Sequence, residues 1–342
     1  MAPQDRLETF APDTLPELSQ ERAPLKIAIA TSLRDIRRED QNGRWLNLNG
    51  QRAYMMGVPE VLTHSLNGDE DRLLEWTQGI GQLNRQILGP EYFDAMERCI
   101  LKIGAAIRER FQLVGVVFDD SPLPDLHPKR GEAFSMNPSS SDWIWAPGLR
   151  TPNGELLSSN TVSIPSDYRR PINTDEQRHT GKQEFEQQLR QVIFGQMDAD
   201  ILLSDHLMVI LEDLVKAPHD FRGRLLNIHP AITNLTDPDC FRGDTPTADA
   251  IAAAQTRAVH TGSTFHFIDP GIDTGPPIAR LKPTPVLPTD QPQELRLRNY
   301  LTKGLVALEG LVHYYDQLYN TFRPGDGQQL TRSTHALPLH AT

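Results

Sequence analysis

The spacing of hydrophobic positions changes several times along the chain, and each change predicts an element. Short apolar runs rich in β-branched residues predict strands at Lys26–Thr31 (KIAIAT), Leu113–Asp119 (LVGVVFD), Asp200–Leu203 (DILL), Arg224–His229 (RLLNIH) and Ser263–Ile268 (STFHFI). Helices are expected around Glu91–Phe111, Glu184–Met197 and Thr247–His260. A last helix is expected at Gln293–Asn320, where Leu297, Leu301, Leu305, Leu308, Val312, Tyr315 and Tyr319 recur three and four apart and form one apolar stripe. Alternation of strands and helices predicts an α/β fold, a Rossmann-like doubly wound sheet that is mostly parallel.

Two segments fall outside the pattern, about residues 32–90 and 121–181, and both exceed ordinary connection lengths. They are expected to be long insertions in one domain spanning residues 25–321. The second carries Trp143 and Trp145 among prolines, serines and asparagines, the composition of an irregular loop. Residues 1–24 and 322–342 are polar and proline-containing, and are expected to be disordered tails because they offer little apolar surface to offset ordering entropy. No internal repeat is present.

Composition narrows the classes of function. With 34 Lys and Arg against 45 Asp and Glu, the formal charge of −11 opposes a phosphate backbone, so no nucleic-acid partner is expected. No apolar run approaches the roughly 18 residues of a membrane span, so no membrane partner is expected. Cys99 and Cys240 stand far apart in no metal-type spacing, and the acidic amino-terminal segment lacks the apolar core of a signal peptide. A cytoplasmic location is the expectation, and no metal site is predicted. Oligomeric state is not encoded legibly.

Candidate chemistry concentrates at two places. In Gly223–Pro230 (GRLLNIHP) a buried strand acquires a polar pair just before a proline stops it. Residues two apart in a strand share a face, so Asn227 and His229 project together while Ile228 points into the core. Such strand ends border the ligand crevice of open α/β sheets. The second place is Asp269–Pro276 (DPGIDTGP), a glycine-containing turn straight after the last predicted strand, with Asp273 at its centre. Taken alone, each group could equally stabilise a loop; together, His229 and Asp273 could share one crevice.

These residues resemble the folate-dependent formyltransferases, most closely those acting on glycinamide ribonucleotide. Asn227, His229 and Asp273 occupy the positions of that family's catalytic trio. Gly262–Ala279 is similar to its stretch leading to the catalytic aspartate, with Thr274 where a glycine is usual. Phe241-Arg242-Gly243, followed by Thr245-Pro246, resembles the arginine–glycine loop of the methionyl-tRNA branch. Asp200–Leu211 (DILLSDHLMVIL) is similar to the strand and loop whose backbone holds the pterin.

The resemblance implies an N-formyltransferase that uses 10-formyltetrahydrofolate as formyl donor and a small-molecule amine as acceptor. Leu207, Met208, Val209, Ile210 and Leu211, with Asp269, Gly271 and Ile272, are then the donor-binding residues. Asn227 and His229 would stabilise the oxyanion of a tetrahedral intermediate. Asp273 would orient the imidazole and relay a proton from the attacking amine. A 10-formyltetrahydrofolate hydrolase and a non-catalytic folate-binding protein are the alternatives. His266 coincides with a family histidine, where it could support the trio or simply pack in the core. The first strand leads into TSLRDIRR rather than a glycine-rich loop, which points away from the purine-pathway acceptor; Arg34, Arg37 and Arg38 could bind phosphate or form a solvated face.

Overall fold

The first strand, β1 (Leu25–Thr31), lies inside the sheet because every side chain but one along it is buried. A computed structural model describes residues 23–31, 58–68, 70–71, 73–74, 77–78, 89–119, 161–164, 166, 168, 173–205, 207, 209–216, 221–243 and 245–318. The expected tails, Trp143, Trp145, Arg34, Arg37 and Arg38 lie outside those residues, apart from positions 23 and 24 of the first tail.

After β1 come helix α1 (Val58–Asn67), helix α2 (Pro90–Ile107), strand β2 (Phe111–Phe118) and strand β3 (Thr161–Ser163). Helix α3 (Asp175–Arg190), which runs into a wider turn at Gln191–Gln196, leads to β4 (Ile201–Asp205) and β5 (Leu225–His229). Helix α4 (Pro246–Ala254), strands β6 (Val259–Phe267) and β7 (Pro277–Val286), and helix α5 (Pro292–His313) complete the order. No described helix is long and apolar enough to cross a membrane.

The seven strands are ordered β3-β2-β1-β4-β5-β6-β7. Pairs from β3 through to β5 are parallel, whereas β5–β6 and β6–β7 are antiparallel. The sheet is therefore doubly wound and mostly parallel, with helices on both faces. Ile27, Ile29, Leu226, Ile228 and Phe265 pack under α1, α2 and α5, while Ala28, Ala30, Leu202 and Leu225 pack under α3. Within α5, Leu301, Leu305, Leu308 and Val312 are buried, and so is Tyr315 in the wider turn Tyr314–Leu318 that follows, as their spacing requires. Cys99 is a buried member of the first of these cores.

Three expectations are corrected. The segment 121–181 is not wholly an insertion, since β3 pairs with β2 and α3 begins at Asp175 rather than near Glu184. The signal was present in Thr174-Asp175-Glu176-Gln177: Thr174 Oγ1 accepts from the Gln177 N–H, and the Gln177 side chain accepts from the Thr174 N–H. Within the segment expected as the first insertion, Val58–Asn67 forms α1. Finally, the strand expected at 263–268 spans Val259–Phe267 and runs antiparallel, with β7 as an additional edge strand whose prolines suit an edge.

Candidate active site

Strand alternation places Asn227 and His229 on the face opposite the buried Leu226 and Ile228. The antiparallel register sets His266 of β6 directly across from Asn227, and Thr264 across from His229. Phe265 and Phe267 turn to the other face and join the core. One strand reversal thus delivers a second histidine to the face that carries the first.

Asp273 reaches that face by a different path from the one expected. Because β6 is antiparallel, its end lies beside the beginning of β5, where the Ile268 N–H donates to the Leu225 carbonyl. The following loop folds back over the sheet. Gly275 makes this return possible, because a Cβ there would stand 1.7 Å from the Phe267 carbonyl oxygen. Asp273 itself adopts φ 51°, a left-handed conformation that Asp tolerates better than most residues.

The three predicted catalytic side chains meet. Asp273 Oδ2 lies 3.2 Å from His229 Nδ1 and accepts the Gly243 N–H at 3.0 Å. Asp273 Oδ1 accepts from Asn227 Nδ2 at 3.3 Å. Asn227 Nδ2 also lies 3.1 Å from His266 Nε2, and His266 Nδ1 lies 2.8 Å from the Phe267 carbonyl. A carbonyl only accepts, so His266 carries its proton on Nδ1 and offers Nε2 as acceptor to the Asn227 amide. Burial favours the same neutral form by lowering the His266 pKa.

Burial alone would raise the Asp273 carboxyl, but the hydrogen bond and charge of His229, with the Gly243 N–H, outweigh it and hold the group below its ordinary value. The ring of His229 is clamped on its other edge as well, Nε2 donating to the Phe241 carbonyl at 2.8 Å. Arg242 works as a strut. Its Nε and Nη2 donate to the Thr233 carbonyl at 2.8 and 2.5 Å, fixing the turn that presents the Phe241 carbonyl and the Gly243 N–H. Gly243 sits at φ 91°, which explains the glycine after this arginine.

A cavity of about 530 Å³ opens over this cluster, within the range of small-molecule sites. Leu207, Val209, Ile210 and Leu211 line it from the loop after β4, and Asp269, Gly271 and Ile272 from the loop after β6. Met208 lies outside the described residues. Ile210 and Ile272 keep 38% and 52% of their surface exposed, leaving apolar area for a ligand to cover.

Two contributors escaped the sequence reading. Glu186 of α3, 1% exposed, accepts the N–H groups of Glu212, Asp213 and Leu214 at 2.9, 2.7 and 3.1 Å, tying down the end of the 207–211 loop. Its burial raises the carboxyl pKa, against the pull of those three donors and Lys182. The other contributor is the start of α5, where Leu295, Arg296, Asn299 and Tyr300 line the cavity beyond Pro230.

Comparison with known proteins bears on the same residues. A family model described as formyl transferase matches positions 158–305, a stretch that holds all the side chains of this cluster. Residues 158–305 are similar to the formyl transferase family. Phosphoribosylglycinamide formyltransferases of Mycobacterium tuberculosis, strains CDC 1551 / Oshkosh and ATCC 25618 / H37Rv, are each 40% identical over 83 residues, 24% of this chain. The match spans about a third (34%) of the length of those curated relatives. A solved structure described as PvdF of pyoverdin biosynthesis, a structurally unique N10-formyltetrahydrofolate-dependent formyltransferase, superposes with a TM-score of 0.56 at 25% identity. That superposition covers 84% of this chain and 97% of PvdF, so the likeness in fold extends beyond the segment 158–305.

Proposed function

We propose that the protein transfers a formyl group from 10-formyltetrahydrofolate to the amine of a small molecule. The observation that carries this reading is the convergence of Asn227, His229 and Asp273, from two stretches of chain, on one cavity in a formyl transferase fold. The donor set suits the folate. Leu207, Val209 and Leu211 supply apolar walls for a flat ring, and Asp269 and the loop backbone supply polar groups for its edge. The folate brings the activated formyl carbon; the chain brings donors, an acceptor and exclusion of water.

Attack by an amine places negative charge on the formyl oxygen, and preorganised donors aimed at that charge are a large catalytic contribution. Asn227 Nδ2 and a ring N–H of His229 are the groups in reach. Engaging His229 Nε2 exchanges the Phe241 carbonyl for the formyl oxygen, one acceptor for another. Asp273 balances charge on the imidazole and, held ionised, can take the proton that the amine sheds and return it to the folate nitrogen, as the bond between that nitrogen and the formyl carbon breaks and tetrahydrofolate leaves. His266 keeps the Asn227 amide oriented through its Nε2 lone pair.

The test is turnover of purified protein with 10-formyltetrahydrofolate and a panel of primary amines, reading tetrahydrofolate release and the mass of the formylated amine. His229→Ala and Asn227→Ala should each lose at least about 100-fold in kcat. Donor consumption to formate at the same rate with and without amine would establish hydrolysis instead. Wild-type rates in either variant would remove these residues from the chemistry.

A further inference from the structure

His229 and Asp273 line the cavity together with two sets of residues, and the donor accounts for only one of them. One set is the apolar Leu207, Val209, Leu211 and Ile268. The other comprises Pro230 after β5, Thr245 and Thr247 at the start of α4, and Arg296 and Tyr300 in the first turns of α5. Asn299 locks this part of the helix to the strand that carries His229: its Nδ2 donates to the carbonyls of Pro230 at 3.0 Å and Gly262 at 2.6 Å. Its Oδ1 accepts from Thr284 Oγ1 at 3.0 Å. Arg296, one helical turn before Asn299, is therefore held in a set position relative to the imidazole.

Charge gives the second set its meaning. Among the described residues, Arg296 is the only Lys or Arg lining the cavity, while Asp269 and Asp273 line it too. The chain as a whole carries −11. An anionic ligand entering against that field needs a local cation, and the half-buried Arg296 supplies one. With five N–H donors in a planar fork, it can grip a carboxylate or phosphate while keeping other contacts.

Resting on the formyl-transfer reading, we propose that Arg296 anchors an anionic group of the acceptor. The acceptor is then an amine that carries a carboxylate or a phosphate several atoms from its nucleophilic nitrogen. The anchor holds one end at α5 and leaves the nitrogen at Asn227, His229 and Asp273. A neutral or purely cationic amine lacks the group that Arg296 selects.

Steady-state kinetics of Arg296→Ala and Arg296→Lys, with folding checked by circular dichroism, test this on matched amines: lysine against cadaverine, ornithine against putrescine, and phosphoethanolamine against ethanolamine. The wild type should prefer the anionic member, and the first two pairs against the third separate carboxylate from phosphate. Arg296→Ala should raise the KM of the preferred amine by about 10- to 100-fold and abolish the preference. Arg296→Lys should recover part of it, because a point charge replaces the fork. Donor KM should stay unchanged. A rise in donor KM instead would assign the guanidinium to the carboxylates of the folate tail and overturn the proposal, as would unchanged selectivity in Arg296→Ala. Failure of the wild type to formylate any amine would refute formyl transfer itself and take this proposal with it; turnover with equal use of both members of each pair would refute the proposal alone.

Discussion

Replacing Glu186 probes the donor side of the cavity without touching any group near the reacting carbon. The carboxylate accepts three successive backbone N–H groups, from Glu212 to Leu214, immediately after the loop that lines the cavity with Leu207, Val209, Ile210 and Leu211. Hydrogen bonds to a charged acceptor contribute about 1.5–3 kcal/mol each. Glu186→Ala deletes all three, and removing a buried carboxylate returns several kcal/mol of desolvation. A net loss of about 2–4 kcal/mol follows from the two together. Glu186→Gln is milder. With its oxygen where Oε2 stands, Gln still accepts from Asp213 and Leu214, but its NH₂ then meets the Glu212 N–H donor to donor. The loop 207–211 should lose its fixed path in the Ala variant, raising donor KM about 10-fold while kcat changes by less than about threefold. Donor-saturation kinetics and hydrogen exchange of the 209–214 amides read this directly. Protected amides and a wild-type donor KM in Glu186→Ala would show that the three bonds do not shape the donor site.

Three further outcomes follow from buried ionisable groups. Asp273 is held below its ordinary 3.8, so it adds stability above that value and loses the contribution as pH falls through its lowered folded pKa; Asp273→Asn should flatten the acid limb of Tm against pH, and an unchanged limb would deny the coupling to His229. Glu309 is pushed up to about 8 by burial and its Oε2 makes no hydrogen bond, so stability is complete below 4.5 and lost as pH rises through about 8. Glu309→Gln should therefore gain about 3 kcal/mol at pH 7 and nothing at pH 4.5 in urea titrations, and equal stability at pH 7 would contradict it. Lys303 and Asp205 form a fully buried ion pair between α5 and the end of β4. Lys303→Met should cost about 3–5 kcal/mol and the double change Lys303→Met with Asp205→Leu should restore most of it; a double variant as unstable as the single would argue that the site does not tolerate apolar packing.

Much of this site was legible because its chemistry follows strand alternation. Asn227 and His229 share a face by periodicity alone, and Ile228 is buried between them as expected. Strand direction was less visible. The segment from His229 to Ser263 contains a helical pattern and looks like a crossover, but α4 has only nine residues and the chain returns antiparallel. Nothing in the apolar pattern of STFHFI distinguishes the two directions, since both bury Phe265 and Phe267. The direction nonetheless decides how Asp273 arrives. β7 was missed for a related reason: Pro277, Pro283 and Pro285 argue against a central strand, and only its place at the edge makes them acceptable.

Helix α5 shows why one periodic signal can hide another. Its stripe of Leu301, Leu305, Leu308 and Val312 identifies the face that meets the sheet and satisfies any search for amphipathicity. A second stripe, Arg296, Asn299, Tyr300 and Lys303, also recurs three and four apart, and in an isolated sequence reads as the solvated face. In the fold it is not solvated. Lys303 is buried against Asp205, Asn299 holds the carbonyls of Pro230 and Gly262, and Arg296 and Tyr300 line the cavity. The carboxyl ends of β4 and β5 stop beneath this face, so polar side chains there satisfy strand-end groups and finish the wall of the site. Polar residues on the second face of a helix that covers strand ends are thus candidates for ligand selection, and here that inference rests on which carbonyls Asn299 reaches, information that no one-dimensional pattern contains.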